Sequence, residues 1–165
     1  MPALSTETVA PDFSLPLVQG GSFSLQNALK RGPVLLAFFK ISCPVCQFAF
    51  PYIERLFHAY GEQNVSVIGV SQDDASATKS FAKEYGLTLP VALDDPKRYA
   101  VSNAYGLTNV PTLFLIRTSG EIQISSVGWS REEIEQIGRE LAQAGQAKVV
   151  PVIHKGEAVP DFKAG

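Results

Sequence analysis

The chain holds two cysteines, Cys43 and Cys46, and two residues separate them. A pair at this spacing can close a disulfide, hold half of a zinc site, or sit inert as two small buried apolar groups. Upstream, Val34 to Phe39 is an unbroken apolar run, the pattern of a strand covered on both faces. Downstream, Val45, Phe48, Ala49, Tyr52, Leu56 and Tyr60 recur at helical spacing, and Pro44 suits a first helical position. The pair therefore falls where a strand turns into a helix.

That position carries chemistry. A C-x-x-C on a first helical turn brings its Cα atoms within the roughly 7 Å a disulfide needs. The first cysteine faces unpaired backbone N–H groups and the positive end of the helix dipole, which favour its thiolate and are expected to lower its pKa from about 8.5. The second lies one turn inside, hidden by packing. Cys43 is then the group that attacks a disulfide, and Cys46 the one that resolves the mixed disulfide. A zinc site needs two further ligands, and besides carboxylates only His58 and His154 are available, with no second histidine close behind His58. Redox activity is the favoured reading.

The elements that hold the pair can be read in order. Residues 1–10 are polar and unpatterned, and are expected to be loose. Phe13, Leu15 and Leu17 alternate between Pro11 and Pro16, Gly20-Gly21 signals a turn, and Ser22-Phe23-Ser24 returns, which predicts a small hairpin. Ser24 caps a short helix over Leu25 to Lys30. The helix from Pro44 to Tyr60 carries Pro51, which should kink it. Val65 to Val70 is a second buried strand, and Asp73 or Asp74 caps the helix that follows to about Tyr85. Val91 to Leu93 is a short strand, and Asp95-Pro96 begins a helical turn or two reaching about Tyr105. Thr112 to Arg117 and Ile122 to Val127 form a hairpin around Ser119-Gly120. Ser130 with Glu133 forms a capping box for a helix to about Ala144. Helices alternating with strands imply an α/β fold, a central mixed sheet flanked by helices. Residues 146–165 read as an extended tail packed loosely on a domain spanning 1–145.

The totals exclude several classes. The 165 residues suffice for one domain with a full core, 45% are hydrophobic, and the net charge is −2 with no block of like charges. Such a balance argues against a nucleic-acid or anionic-membrane partner. No apolar run approaches the roughly 20 residues of a bilayer span. Met1 to Pro11 lacks the basic start and apolar core of a signal peptide, so the chain as written is expected in the cytoplasm, or in the periplasm or outside if a leader has been removed.

Strand, C-x-x-C, a helix with a proline five residues past the second cysteine, and Asn109-Val110-Pro111-Thr112 entering a strand together resemble the thioredoxin fold. The opening Ala10-Pro11-Asp12-Phe13-Ser14-Leu15, Gly20-Gly21, Ser24-Leu25, and Leu93-Asp94-Asp95-Pro96 leading to Tyr105-Gly106-Leu107 are similar to the TlpA/ResA-type branch and to the AhpC/TSA, or peroxiredoxin-like, group. The likeness covers roughly residues 9–145. It implies a thioredoxin-like fold with an N-terminal hairpin extension, and a cis Pro111 beside the cysteines that leaves the Val110 backbone to pair with an extended substrate. It implies a protein thiol–disulfide oxidoreductase with Cys43 and Cys46 catalytic, and Pro44, Val45, Val110 and Pro111 contacting substrate. No cofactor or metal is expected. The partners are a protein disulfide or dithiol and a thiol electron donor or acceptor.

The chain also departs from these groups. Ala37 stands where many thioredoxins carry a buried aspartate, and Ala49 where ResA-like proteins carry a glutamate, so the usual proton acceptor for Cys46 is missing. Lys40-Ile41-Ser42 replaces an aromatic-rich lead into the pair. Lys40 is expected to be exposed rather than to serve the Cys43 thiolate. The alternatives are a thiol peroxidase and a non-catalytic binding module of the same fold. A peroxidase needs a threonine three residues before its cysteine and a later arginine; Lys40 precedes Cys43, Cys43 precedes Cys46, and Pro111 stands at the arginine's place. Exchange is therefore favoured. Asp73-Asp74 and Asp94-Asp95 read as caps and turn residues, Trp129 as packing, and His58 and Arg117 as exposed.

Overall fold

The computed structural model describes residues 3–61 and 64–165. Strand β1 (Ser14–Pro16) pairs antiparallel with β2 (Ser22–Ser24), and Gly20 and Gly21, at φ 104° and 75°, make the turn that only glycine adopts without strain. The Ser24 hydroxyl accepts the Asn27 N–H at 3.3 Å and starts α1 (Leu25–Leu29). Then follow β3 (Val34–Phe39), α2 (Pro44–Tyr60), β4 (Ser66–Ser71), α3 (Ala75–Glu84), β5 (Val91–Leu93) and α4 (Ala100–Ala104). The chain continues through β6 (Thr112–Ile116), β7 (Ile122–Val127), β8 (Trp129–Ser130), α5 (Arg131–Ala144) and β9 (Phe162–Lys163). Five strands form one mixed sheet in the order β5-β4-β3-β6-β7. β3 runs parallel to β4 and antiparallel to β6. This is the thioredoxin-like arrangement with its N-terminal hairpin.

β3 shows why the apolar run has no alternation. Successive side chains point to opposite faces. Leu35, Ala37 and Phe39 enter one apolar cluster with α2, Phe81 and α5, while Val34, Leu36 and Phe38 enter another with Phe23, Leu25, Val101 and Tyr105. All six are fully buried, so the last residue of β3 reaches the site on a strand that cannot shift register without exposing apolar surface. Among the described residues, no helix is long and apolar enough to cross a membrane.

Several local expectations are refined. α2 runs unbroken from Pro44 to Tyr60 with Pro51 inside it. Asp74, not Asp73, caps α3, its carboxylate accepting the Ala77 N–H at 2.8 Å. The helical turns after Pro96 yield an α-helix only over Ala100–Ala104. The capping box is half made: Ser130 Oγ accepts the Glu133 N–H at 3.2 Å, but the Glu133 carboxylate takes the Ser126 hydroxyl instead.

Two segments expected to be loose are not. Met1 and Pro2 lie outside the described residues, but the rest of the opening stretch is tied down. Glu7 donates to Ile122 O at 2.8 Å and Ala10 to Gly120 O at 2.8 Å, and Val9 bridges Glu121. The segment supplies the edge of β7 with backbone partners, which no side-chain pattern announces. The tail bends and turns over residues 152–156, and its middle is anchored. Val152 and Ile153 are buried in the α2 cluster, Tyr60 Oη receives the Val150 N–H at 2.7 Å, and Arg55 reaches Val152 O and both oxygens of Glu157 at 2.7–2.9 Å.

The Arg55 guanidinium, helped by the His154 N–H, holds the Glu157 carboxyl at about 2, below its ordinary 4.5. A depressed carboxyl stabilises the fold above its ordinary value and loses that contribution as pH falls through the depressed one. Acidification from about pH 4.5 to about pH 2 should therefore free residues 150–157, read as lost amide-exchange protection there before the sheet opens. Protection that falls only with global unfolding would show that the pair does not hold the tail.

Candidate active site

α2 begins at the end of β3, so Cys43 is its N-cap with extended backbone, φ −84° and ψ 114°. Its sulfur accepts the Cys46 N–H at 3.1 Å, the place where a helix N-terminus receives an anion. On its other side Cys43 Sγ lies 3.3 Å from the Val110 carbonyl oxygen, to which the thiol donates. The Val110–Pro111 bond is cis, as the resemblance implied. Thr112 Oγ1 donates to Asn109 O at 2.8 Å and Gly128 N to Pro111 O at 2.8 Å, which fixes this loop from both flanks. No described residue accepts the Val110 N–H.

Cys43 is half-buried, whereas Cys46 is fully buried against the face that holds Ala37 and Ala49. Burial, then contact with Cys43, push the Cys46 thiol far above its ordinary pKa, and a backbone contact with Lys40 only partly offsets them. The two sulfurs are thus unequal by environment. One is half-buried at the helix start and accepts an N–H; the other is a buried, protonated reserve.

Of the six residues expected at the site, the fold brings Cys43, Cys46, Val110 and Pro111 together. Pro44 is exposed at the helix start beside them, and Val45 is half-buried against the α2 cluster. Lys40, expected to be exposed, is half-buried, and its Nζ sits 5.3 Å from the centre of the Tyr99 ring. His58 is exposed and binds Glu54 at 2.7 Å. Arg117 pairs with Glu7 at 3.3 Å, and Trp129 is buried.

Sequence reasoning missed one residue here. Asp73 accepts the Ile41 N–H at 2.8 Å while Gln47 Nε2 donates to Ile41 O at 2.9 Å, so both ends of the Ile41 residue are clamped two positions before Cys43. Asp73 is also the carboxylate whose charge reaches Cys46. The signal was available, since in parallel strands such as β3 and β4 the residues just past the C-terminal ends lie side by side.

Comparison with known proteins bears on the fold and the family. The AhpC/TSA family matches residues 6–125. The thiol-disulfide oxidoreductase ResA of Geobacillus kaustophilus is 32% identical over 136 residues, covering 81% of this chain and 76% of that protein. ResA of Halalkalibacterium halodurans is 33% identical over 129 residues, 77% of this chain and 72% of that one. Among solved structures, a putative thiol:disulfide interchange protein DsbE from Chlorobium tepidum superposes with a TM-score of 0.75 at 26% identity, over 87% of this chain and 99% of the other. The chain belongs to the AhpC/TSA family, alongside the ResA thiol-disulfide oxidoreductases.

Proposed function

We propose that the chain is a protein thiol–disulfide oxidoreductase in which Cys43 is the nucleophile and Cys46 the resolving thiol. The observation that carries this reading is the seat of Cys43 Sγ, between the Cys46 N–H at 3.1 Å and the Val110 carbonyl at 3.3 Å. The Cys43 thiolate attacks one sulfur of a substrate disulfide, forming a mixed disulfide and releasing the other sulfur as a thiolate. Cys46 then loses its proton and attacks Cys43 Sγ, closing the Cys43–Cys46 disulfide and releasing the second substrate thiolate. Two electrons pass to the substrate, and a thiol donor restores the pair. Run backwards, the same steps oxidise a dithiol.

Pro44 and Val45 frame the approach, while Val110 and Pro111 form the docking edge, on which the Val110 N–H offers a free donor to an extended chain. Residues 1–145 make the catalytic domain, with residues 146–165 laid back over it. The partners are thus a protein disulfide or dithiol and a thiol donor or acceptor. Exchange is preferred to peroxide reduction because neither cysteine has a threonine three residues before it, Lys40 and Cys43 standing there, and Pro111 stands at the arginine's place.

The Cys46→Ser variant tests the roles. With insulin as the disulfide it should halt after attack and accumulate a covalent adduct in which Cys43 is the bonded residue, seen by mass mapping. No adduct, or catalytic peroxide consumption that disulfides do not slow, would remove the exchange reading.

A further inference from the structure

The last described residues of the chain return to the reactive cysteine. Pro160 O accepts the Trp129 indole N–H at 2.7 Å, and Asp161 O accepts the Arg131 N–H at 2.9 Å. β9 then pairs antiparallel with β8, Phe162 opposite Ser130 and Lys163 opposite Trp129. Lys163 Nζ lies 5.5 Å from the centre of the Phe48 ring, two residues past Cys46. Finally Gly165 O accepts from Asn109 Nδ2 at 3.1 Å. Gly165 packs so closely on Val110 that a Cβ there would fall 2.3 Å from Val110 O. The same Val110 carbonyl oxygen accepts the Cys43 thiol at 3.3 Å.

The tail therefore has two parts of different character. Residues 150–157 are anchored by buried Val152 and Ile153 and by the Arg55–Glu157 pair. Residues 161–165 are all exposed, Phe162 by 60%, and are held mainly by main-chain hydrogen bonds at a sheet edge. Gly156, at φ 88°, and Pro160 lie between the two. Hydrogen bonds to an open edge are exchanged for those of another strand at little net cost, whereas buried apolar side chains are not.

We propose that residues 161–165 are a built-in competitor strand, which pairs with Trp129–Ser130, packs its end on the Val110 carbonyl, and must lift before an extended polypeptide disulfide can lie along that strand and reach the free Val110 N–H. This rests on the exchange function proposed above and narrows its protein substrate to a chain that can present its disulfide in a strand. Small disulfides, which need only the Cys43 sulfur, bypass the strap. Tethering keeps the strap at a high effective concentration beside its edge. If the edge is open about a tenth of the time, apparent affinity for a strand-like substrate falls about tenfold.

Two variants test it: a chain ending at Pro160, and Gly165→Ala, whose single methyl collides with the Val110 main chain. Both are assayed on insulin and on dithiobis(nitrobenzoate), with dithiothreitol as the reductant. The expected result is kcat/KM on insulin raised about tenfold in the truncated chain and in the same direction by Gly165→Ala, with the rate on the small disulfide unchanged. An unchanged or lower rate on insulin in both variants overturns the strap, as does an equal rise on both disulfides, which would mean simple shielding of the thiol. Absence of turnover on either probe in all three proteins overturns the exchange function and this inference with it.

Discussion

Replacing Cys43 by serine should lower the rate of insulin reduction by more than about a thousandfold, the scale on which removing a nucleophile acts. Serine keeps the size of the side chain and an acceptor for the Cys46 N–H, so the start of α2 should survive. Its hydroxyl is not appreciably ionised at neutral pH and forms no bond to sulfur that Cys46 can resolve. An intact melting transition with lost turnover therefore assigns the loss to chemistry. Retained turnover would move the attack to Cys46, which is fully buried and whose raised pKa leaves it protonated at neutral pH. That outcome would overturn the assignment of roles.

The second large effect concerns stability. Asp94 is 1% exposed and accepts four hydrogen bonds: from the N–H groups of Asp95, Val101 and Ser102 and from the Ser102 hydroxyl, at 2.7–3.2 Å. α4 needs it, because Tyr99 stands at its N-cap with φ 49° and no side-chain capping bond. Asp94 supplies from farther upstream the acceptor that a serine or aspartate at the cap normally gives. Asp94→Ala strands buried donors at once, and the expected cost is about 3 kcal/mol, or about 10 °C in melting temperature. Asp94→Asn keeps one acceptor oxygen and should cost less. The attack of Cys43 on a small disulfide should be unaffected by either. Denaturant titration reading less than about 1 kcal/mol for the alanine variant would mean that water replaces the carboxylate.

What the sequence disclosed follows from how each element is stabilised. β3 was legible because six consecutive buried residues leave an unbroken apolar run, and the start of α2 because proline, cysteine spacing and helical periodicity coincide. Ser24 and Ser130 were legible as caps, and Asp74 as one of two candidates with Asp73, because short polar side chains at helix starts have a local partner. Asp73 was read as half of a capping pair, and its actual partner, the Ile41 N–H, is 32 residues away in sequence. Residues 3–10 and 160–165 were hidden for another reason. They are held by main-chain bonds to sheet edges, and a backbone donor looks the same whatever side chain it carries. The half-made capping box shows the limit of short motifs, since Glu133 found the hydroxyl of Ser126 on the neighbouring strand a better partner than its own helix cap.

The anchored part of the tail also bears on the order in which the protein is assembled. Arg55 meets Val152 across 97 residues and Glu157 across 102, and Tyr60 meets Val150 across 90. Contacts of such separation form late, because a long loop must close before any of them is rewarded. The cysteine pair, β3 to β7 and Val110 are all synthesised before residues 150–157. The nascent chain thus passes through an interval in which the reactive sulfur is already built. During that interval the far end of α2 still lacks its apolar cover and the docking edge has no competitor. Newly made chains then meet disulfides with no competing strand, and the docking of residues 161–165 ends that interval.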